Sequence, residues 1–190
     1  MKKSGIFLFV LLSSVVYPQS KQSHTPDSSV VLNGEDYAFA ITVPGGWMLE
    51  PGQGTWSGTK AILHPQGVPR ARIMWGSPDA WITVGIASKR AAANQTLKNL
   101  LAHYARVDSQ EARSVSDLPN LVTKDKKTAL LEKKVDSQSY WAIAFIEDET
   151  IFAVFELRRF DERQFNEALP KFYQIVQSYQ SVPVDKKPAK

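Results

Sequence analysis

The apolar residues of this 190-residue chain recur with two different periods, and the order of those periods limits the folds open to it. Residues 37–43 alternate strictly between apolar and small side chains, which is the pattern of a half-buried β-strand. Over residues 97–107 the spacing changes to three and four, which indicates one apolar helix face. Alternation returns over 129–157, and helical spacing returns over 165–179. Strands, helix, strands and helix in this order predict an α+β domain built on an antiparallel β-sheet.

Short apolar runs bounded by turn residues mark the remaining strands. They lie at residues 59–64, 70–75, 81–88, 129–135, 140–146 and 151–157. The last two runs are separated by the acidic segment 147–150, which predicts an antiparallel hairpin with a solvated turn. The polar stretch 108–128 is interpreted as a connection.

The segment Val43-Pro44-Gly45-Gly46-Trp47 separates the first alternating run from the next apolar one. Pro44 has no amide donor and ends the strand, and the glycines permit positive φ. This favours the corner of a β-hairpin, from which residues 47–50 return to pair. No helix begins here, so no helix dipole points at a ligand.

Both helical segments carry signals at their ends. Asn94 or Thr96 is placed to cap the first helix. Asp161 and Gln164 have the spacing of a capping box at the start of the second. Pro170 interrupts that second pattern without interrupting its apolar face, which favours a kinked helix over two separate ones.

The chain begins like an exported protein. Two lysines precede a short apolar run at residues 6–16, and a polar exit follows, which predicts a signal peptide over residues 1–20 cleaved after Ser20 or nearer Ser23. The apolar run is too short for an ordinary membrane-spanning helix. We therefore expect a periplasmic or secreted protein with no integral span after cleavage. The alternative is an envelope protein that the uncleaved segment tethers.

The rest of the chain divides simply. Residues 21–29 are predicted to be a flexible spacer, residues 30–182 a single domain, and residues 183–190 a polar tail. Cysteine is absent, which removes disulfides, thiolate catalysis and cysteine–metal sites. Six of the 23 basic and two of the 19 acidic residues lie outside residues 30–183, which leaves 17 of each. A neutral domain argues against nucleic-acid binding.

Motifs of catalysis are missing. The three histidines, His24, His64 and His103, are far apart, and no metal-ligand spacing joins them. The chain has no serine elbow, and its glycine loops do not lead into helices as phosphate sites do. We expect no catalytic residue, no metal and no cofactor. A small hydrolase with a site near His64 is the alternative.

The strand that ends at Val43-Pro44, Trp47 after the glycines, and the closing Phe172, Ile175 and Val176 together resemble the PsbP-like superfamily. The resemblance spans most of residues 35–181. It implies an α/β/α sandwich around an antiparallel sheet, and a role in binding or assembly rather than catalysis. It transfers no functional residues, because members use one scaffold for different tasks.

Surface recognition is the function that the residues favour. Trp75 and Trp81 flank the loop 76–80, and Trp56 lies in a glycine loop. The basic residues predicted to rim the same patch are Arg70, Arg72 and Lys60. Tryptophan and arginine dominate binding hot spots. For each ring taken singly, packing onto the core is the favoured interpretation, because tryptophan is highly buried on average. We predict a non-enzymatic binding or assembly module with a protein partner in the cell envelope.

Overall fold

The structure is a computed structural model that describes residues 27–51, 59–68, 81–89, 96–101, 113–135 and 139–184. These residues form eleven strands and two helical segments. The strands are β1 (Ser28–Asn33), β2 (Ala38–Val43), β3 (Trp47–Pro51), β4 (Thr59–Pro65), β5 (Trp81–Ser88), β6 (Arg113–Asp117), β7 (Leu121–Val122), β8 (Thr128–Val135), β9 (Tyr140–Glu147), β10 (Ile151–Arg159) and β11 (Gln180–Ser181). The helical segments are α1 (residues 97–101) and α2 (Glu162–Gln177).

Eight strands form one large antiparallel sheet. Their order is β3-β4-β5-β10-β9-β8-β6, and β7 also pairs with β8. The strands predicted from alternation at 59–64, 81–88, 129–135, 140–146 and 151–157 correspond to β4, β5, β8, β9 and β10, and are confirmed. The strand predicted at 70–75 lies outside the described residues.

The two faces of the large sheet belong to two separate cores, because successive strand residues point to opposite sides. Ala144 of β9 and Phe155 of β10 pack with α2 and the small sheet. Phe145 and Val154 face the other way and pack with Leu100 of α1. The sheet therefore lies between two helical layers, which confirms the predicted α/β/α arrangement.

The capping residues of both helices are among those that the sequence indicated, and Thr96 is one of the two candidates for the first helix. The Thr96 hydroxyl accepts a hydrogen bond from the Asn99 amide at 3.2 Å, at the start of α1. Asp161 caps α2, where its carboxylate accepts from the Gln164 amide at 2.9 Å. The second helix runs through the exposed Pro170 as one element. Its buried side chains are Phe165, Ala168, Phe172, Ile175 and Val176.

The Pro44–Gly46 corner joins two sheets, so the predicted β-hairpin is wrong. β2 pairs with β1 on one side and with β11 on the other, in a separate three-stranded sheet. With both of its edges occupied, β2 cannot accept β3, which pairs with β4 instead. The turn itself is as expected, since Gly46 has a φ of 80° and the Trp47 amide donates to the Pro44 carbonyl at 3.0 Å.

Two further boundaries differ from the sequence interpretation. The polar stretch 108–128 contains β6 and β7, which alternation did not reveal because the sequence of β6 has a single apolar residue and β7 has only two residues. The first strand begins at Ser28, inside the segment 21–29 for which a spacer was predicted.

Candidate functional site

Four side chains form a row across one face of the large sheet. Lys134 of β8 is paired in register with Trp141 of β9, Trp141 with Arg158 of β10, and Arg158 with Trp81 of β5. We call these four residues the aromatic–basic row. They share the sheet face that α1 covers, but they lie toward the ends of their strands. Trp81, Trp141 and Arg158 are half-buried, whereas Lys134 is buried.

Arg158 is the centre of this row. Its guanidinium carbon lies 4.2 Å from the centroid of the Trp141 ring and 5.4 Å from that of Phe160. These are distances at which a cation is attracted by an aromatic face. Its Nε atom also donates to the Ser139 hydroxyl at 3.4 Å. The planar group is therefore held in a defined orientation between two rings.

Ser139 connects two members of the row. The residue is completely buried, and its hydroxyl accepts a hydrogen bond from the Trp141 indole at 2.5 Å as well as the one from Arg158. Because the indole donates to the same oxygen, the Trp141 ring and the guanidinium are fixed relative to each other. A side chain fixed in this way loses little conformational entropy when it binds a partner.

A second row runs beside the first, one register step further along the strands on the same face. Glu132 is paired with Ile143, Ile143 with Glu156, and Glu156 with Thr83. All but Ile143 are half-buried. Two carboxylates thus lie next to the two cations of the aromatic–basic row. Arg158, Glu132 and Glu156 therefore place both signs of charge within a small area of this face, beside the half-buried rings of Trp81 and Trp141.

Of the six residues predicted to form or rim a binding patch, the structure describes Trp81 and Lys60. Trp81 opens β5 and belongs to the aromatic–basic row. Lys60 is an exposed residue of β4. Trp56, Arg70, Arg72 and Trp75 lie outside the described residues, so their part in a patch stays a prediction. Sequence reasoning missed Trp141 and Arg158. The available signal was weak: Glu156 and Arg158 are polar residues at alternate positions near the end of a strand whose first five residues are apolar.

His64 was the residue named for a hydrolase, and the structure places an acid beside it. His64 is 2% exposed, and its Nδ1 lies 2.9 Å from the Pro65 carbonyl oxygen. A carbonyl only accepts, so Nδ1 carries the proton there. Nε2 lies 3.5 Å from Glu50 Oε1 and has no hydrogen-bond partner among the described residues. The hydrolase hypothesis stays a prediction.

The most perturbed ionisable groups lie elsewhere, where the two sheets meet. Lys127 Nζ is 2.6 Å from Asp125 Oδ2 and 3.6 Å from Asp148 Oδ1. The Ser181 hydroxyl lies 2.9 Å from Asp125 Oδ2 and 2.6 Å from Asp148 Oδ2. The Tyr179 hydroxyl donates to Asp148 as well. We call Asp125, Lys127, Asp148, Tyr179 and Ser181 the junction cluster.

The junction cluster shifts the pKa values of its members. Burial acts to raise the pKa of Asp125, but hydrogen bonds from Lys127, Ser181 and Thr123 outweigh it and lower that pKa. Burial also acts to raise the pKa of Asp148, and donors led by Ser181 and Tyr179 again lower it. The pKa of Tyr179 is raised, first by burial and then by its bond to Asp148. The carboxylates are therefore held in their ionised form.

Shifted pKa values often mark active sites, yet they also arise in structural networks. In the junction cluster the donors and acceptors are directed at one another. The Ser181 amide donates to Asp125 at 3.0 Å, and the Thr123 hydroxyl donates to the same carboxylate at 2.6 Å. These bonds connect the turn after β7, the turn after β9 and strand β11. The cluster therefore fastens the small sheet to the large one. The solvated turn predicted at 147–150 is wrong for Asp148, which points inward.

Among the described residues, no three His, Asp or Glu side chains converge in a way that would hold a metal ion. Neither α1 nor α2, the helices in that part of the chain, is long and apolar enough to cross a bilayer.

A large antiparallel sheet between two helical layers, with a small sheet closing one core, defines a PsbP-like fold. A solved structure shows the likeness directly: the solution structure of cyanobacterial PsbP (CyanoP) from Synechocystis sp. PCC 6803 is similar, with a TM-score of 0.53. The alignment covers 86% of this chain and 97% of that one, at 10% sequence identity. At this identity the similarity concerns the fold. No protein family matches the sequence, and no curated protein does.

Proposed function

We propose that this chain is an exported, non-enzymatic binding or assembly module that recognises a protein partner of the cell envelope through the aromatic–basic row. The observation that carries the proposal is the fixed Arg158, stacked on Trp141 at 4.2 Å, with Trp81 as its register neighbour. Tryptophan and arginine are the residues that most often supply binding energy in protein interfaces.

The neighbouring carboxylates support a protein partner over a simple anion. Glu156 lies one register step from the half-buried Arg158, and Glu132 lies one step from the buried Lys134, so an approaching anion meets repulsion as well as attraction. A protein surface can match both signs and still cover the rings. Such matching contributes mainly to specificity and to the rate of association.

A pull-down with the tagged chain as bait tests the site. The Trp81→Ala and Arg158→Ala variants should each capture about tenfold less partner from a cell-envelope extract than the wild type does, because each removes a hot-spot residue. Arg158→Lys keeps the charge but not the planar fork, and we expect it to retain an intermediate amount.

The control for this experiment is Trp47→Ala. Trp47 is also a half-buried strand tryptophan, but it packs against the core on the opposite face of the sheet. Provided that circular dichroism shows a folded chain, this variant should capture the partner as the wild type does. Unchanged capture by both Trp81→Ala and Arg158→Ala would refute the assignment of the site.

Export is tested separately at the N-terminus. Mass spectrometry of the chain recovered from its own cells is expected to show a mature N-terminus between Lys21 and His24, because signal peptidase cuts after the polar exit region. Recovery of a chain that still carries residues 1–20 would instead support the tethered alternative. Either result leaves the aromatic–basic row to be judged by the pull-down.

A further inference from the structure

Strand β1 has an edge without a neighbour among the described strands. The small sheet has the order β1-β2-β11, so β1 lies at its margin and pairs only with β2. Its side chains are half-buried or exposed, and Val31 is 52% exposed. The outer edge of such a strand presents backbone N–H and C=O groups that another strand can bind.

The other sheet margins carry features that discourage pairing, and β1 does not. Natural proteins protect edge strands with charges, prolines, bulges or short length. β3 contains Glu50 and ends at Pro51, β6 contains charged residues and a register shift after Ser114, and β11 has two residues. β1 has six residues, Ser-Ser-Val-Val-Leu-Asn, with no charge and no proline, in unbroken register with β2.

The side chains of β1 are also complementary to a second copy of themselves. A two-fold axis perpendicular to the sheet preserves its faces, so only residues on the same face can oppose each other. With the axis at Val31, Val31 opposes Val31, Val30 opposes Leu32 and Ser29 opposes Asn33. Apolar side chains then meet apolar ones and polar meet polar. With the axis at Val30, Ser29 would oppose Val31 and Ser28 would oppose Leu32.

We propose that two copies of this chain associate through antiparallel pairing of their β1 strands, centred on Val31, to give a continuous six-stranded sheet. Val30 and Leu32 already pack against the core of each copy. Their pairing extends that apolar surface across the two-fold axis. The interface is on the small sheet and is independent of the aromatic–basic row.

Charge substitutions at Val31 test this pairing. In sedimentation velocity across the micromolar to millimolar range, the purified full chain is expected to form a dimer as its concentration rises. Val31→Lys and Val31→Glu should each weaken the dimer by about tenfold, because like charges then oppose each other across the strands. An equimolar mixture of the two variants should restore it.

Disulfide trapping gives a second measurement, since the chain has no cysteine of its own. Directly opposed residues of an antiparallel pair have Cα atoms about 4.5–5.5 Å apart, within the range that a disulfide bridges. Val31→Cys should therefore yield a covalent dimer on mild oxidation. Val122→Cys, at a comparably exposed valine of β7, should not.

Three results would each overturn the proposed dimer. A wild-type chain that stays monomeric throughout the concentration range overturns the proposal. So does a Val31→Lys variant that associates like the wild type, which would place the contact on another surface. Val122→Lys is the matched control for added charge, and an equal loss of dimer with this variant would also overturn it.

Discussion

Tyr179→Ala is expected to lower the free energy of unfolding by about 4 kcal/mol, the range found when a large buried ring is removed from a core. Tyr179 is completely buried. Its ring stacks on Phe39 of the small sheet at 5.0 Å and meets Phe155 of the large sheet edge-on at 6.4 Å. Removal leaves a cavity between the two sheets and takes a donor from Asp148. Urea denaturation monitored by circular dichroism measures the change.

Tyr179→Phe separates the contribution of the hydroxyl to stability from that of the ring, and Tyr173→Ala is the control. Tyr179→Phe keeps the ring and loses the hydrogen bond to Asp148, so about 1–2 kcal/mol is expected. Tyr173→Ala removes the same residue type from a half-buried position on α2, and should cost clearly less than Tyr179→Ala. If Tyr173→Ala and Tyr179→Ala destabilise the chain equally, Tyr179 does not have the joining role that its contacts indicate.

Acid is expected to destabilise this protein through the junction cluster. The pKa values of Asp125 and Asp148 are lowered in the folded state, so the unfolded chain binds protons first as the pH falls. Stability from these groups is fully present above about pH 4, the ordinary range of an aspartate, and is lost as the pH falls from there through the folded-state pKa values. We therefore expect the contribution of the cluster to decrease steadily as the pH falls from about 4 toward 2.

Substitutions at single acids assign that loss. Urea titrations at a series of pH values give the free energy of unfolding as a function of pH, and we call its fall at low pH the acid limb. Asp125→Asn should make this limb less steep, because the variant has no carboxylate to protonate at this position. Asp148→Asn should do so to a smaller extent, as its carboxylate lies further from Lys127, at 3.6 Å rather than 2.6 Å. Glu149→Gln changes an exposed acid of the same turn and should leave the limb as steep as in the wild type. An acid limb that stays equally steep in both Asp variants would contradict the assignment.

The strands and helices that sequence reasoning recovered are those whose pattern is local. β2, β4, β5 and β8 to β10 alternate or are continuously apolar, and α2 has both a capping aspartate and an apolar face. Burial of the apolar side chains on one face favours the strand or helix conformation of such a segment, whichever neighbours it packs against. β6 and β7 escaped prediction because a marginal strand is selected by the backbone groups of its neighbour, β8, and its own side chains carry little of that information.

The corner at Pro44–Gly46 shows the same division. Proline and glycine made a turn predictable, and Gly46 does adopt positive φ. The pairing partner of β3, which begins at Trp47, could not be predicted from the residues around the turn. It depended on β11, more than 130 residues later, taking the edge of β2 that a hairpin would have used.

The candidate site divides in a similar way. Trp81 stood out in the sequence as a tryptophan next to a loop. Its neighbours Arg158, Trp141 and Lys134 come from three other strands, and only the register of the sheet brings them together. Asp148 likewise appeared to belong to an ordinary acidic turn until Tyr179 and Ser181 were placed beside it.

The sequence by itself determined the α+β class, the positions of most strands and the start of α2, and it narrowed the start of α1 to two candidate caps. These features follow from apolar periodicity and capping within a few residues. The tertiary structure alone decided the partners of each strand, the aromatic–basic row, the junction cluster and the exposed edge of β1. The physical reason is that register and edge occupancy depend on pairings between distant segments, in which each backbone edge can be used once.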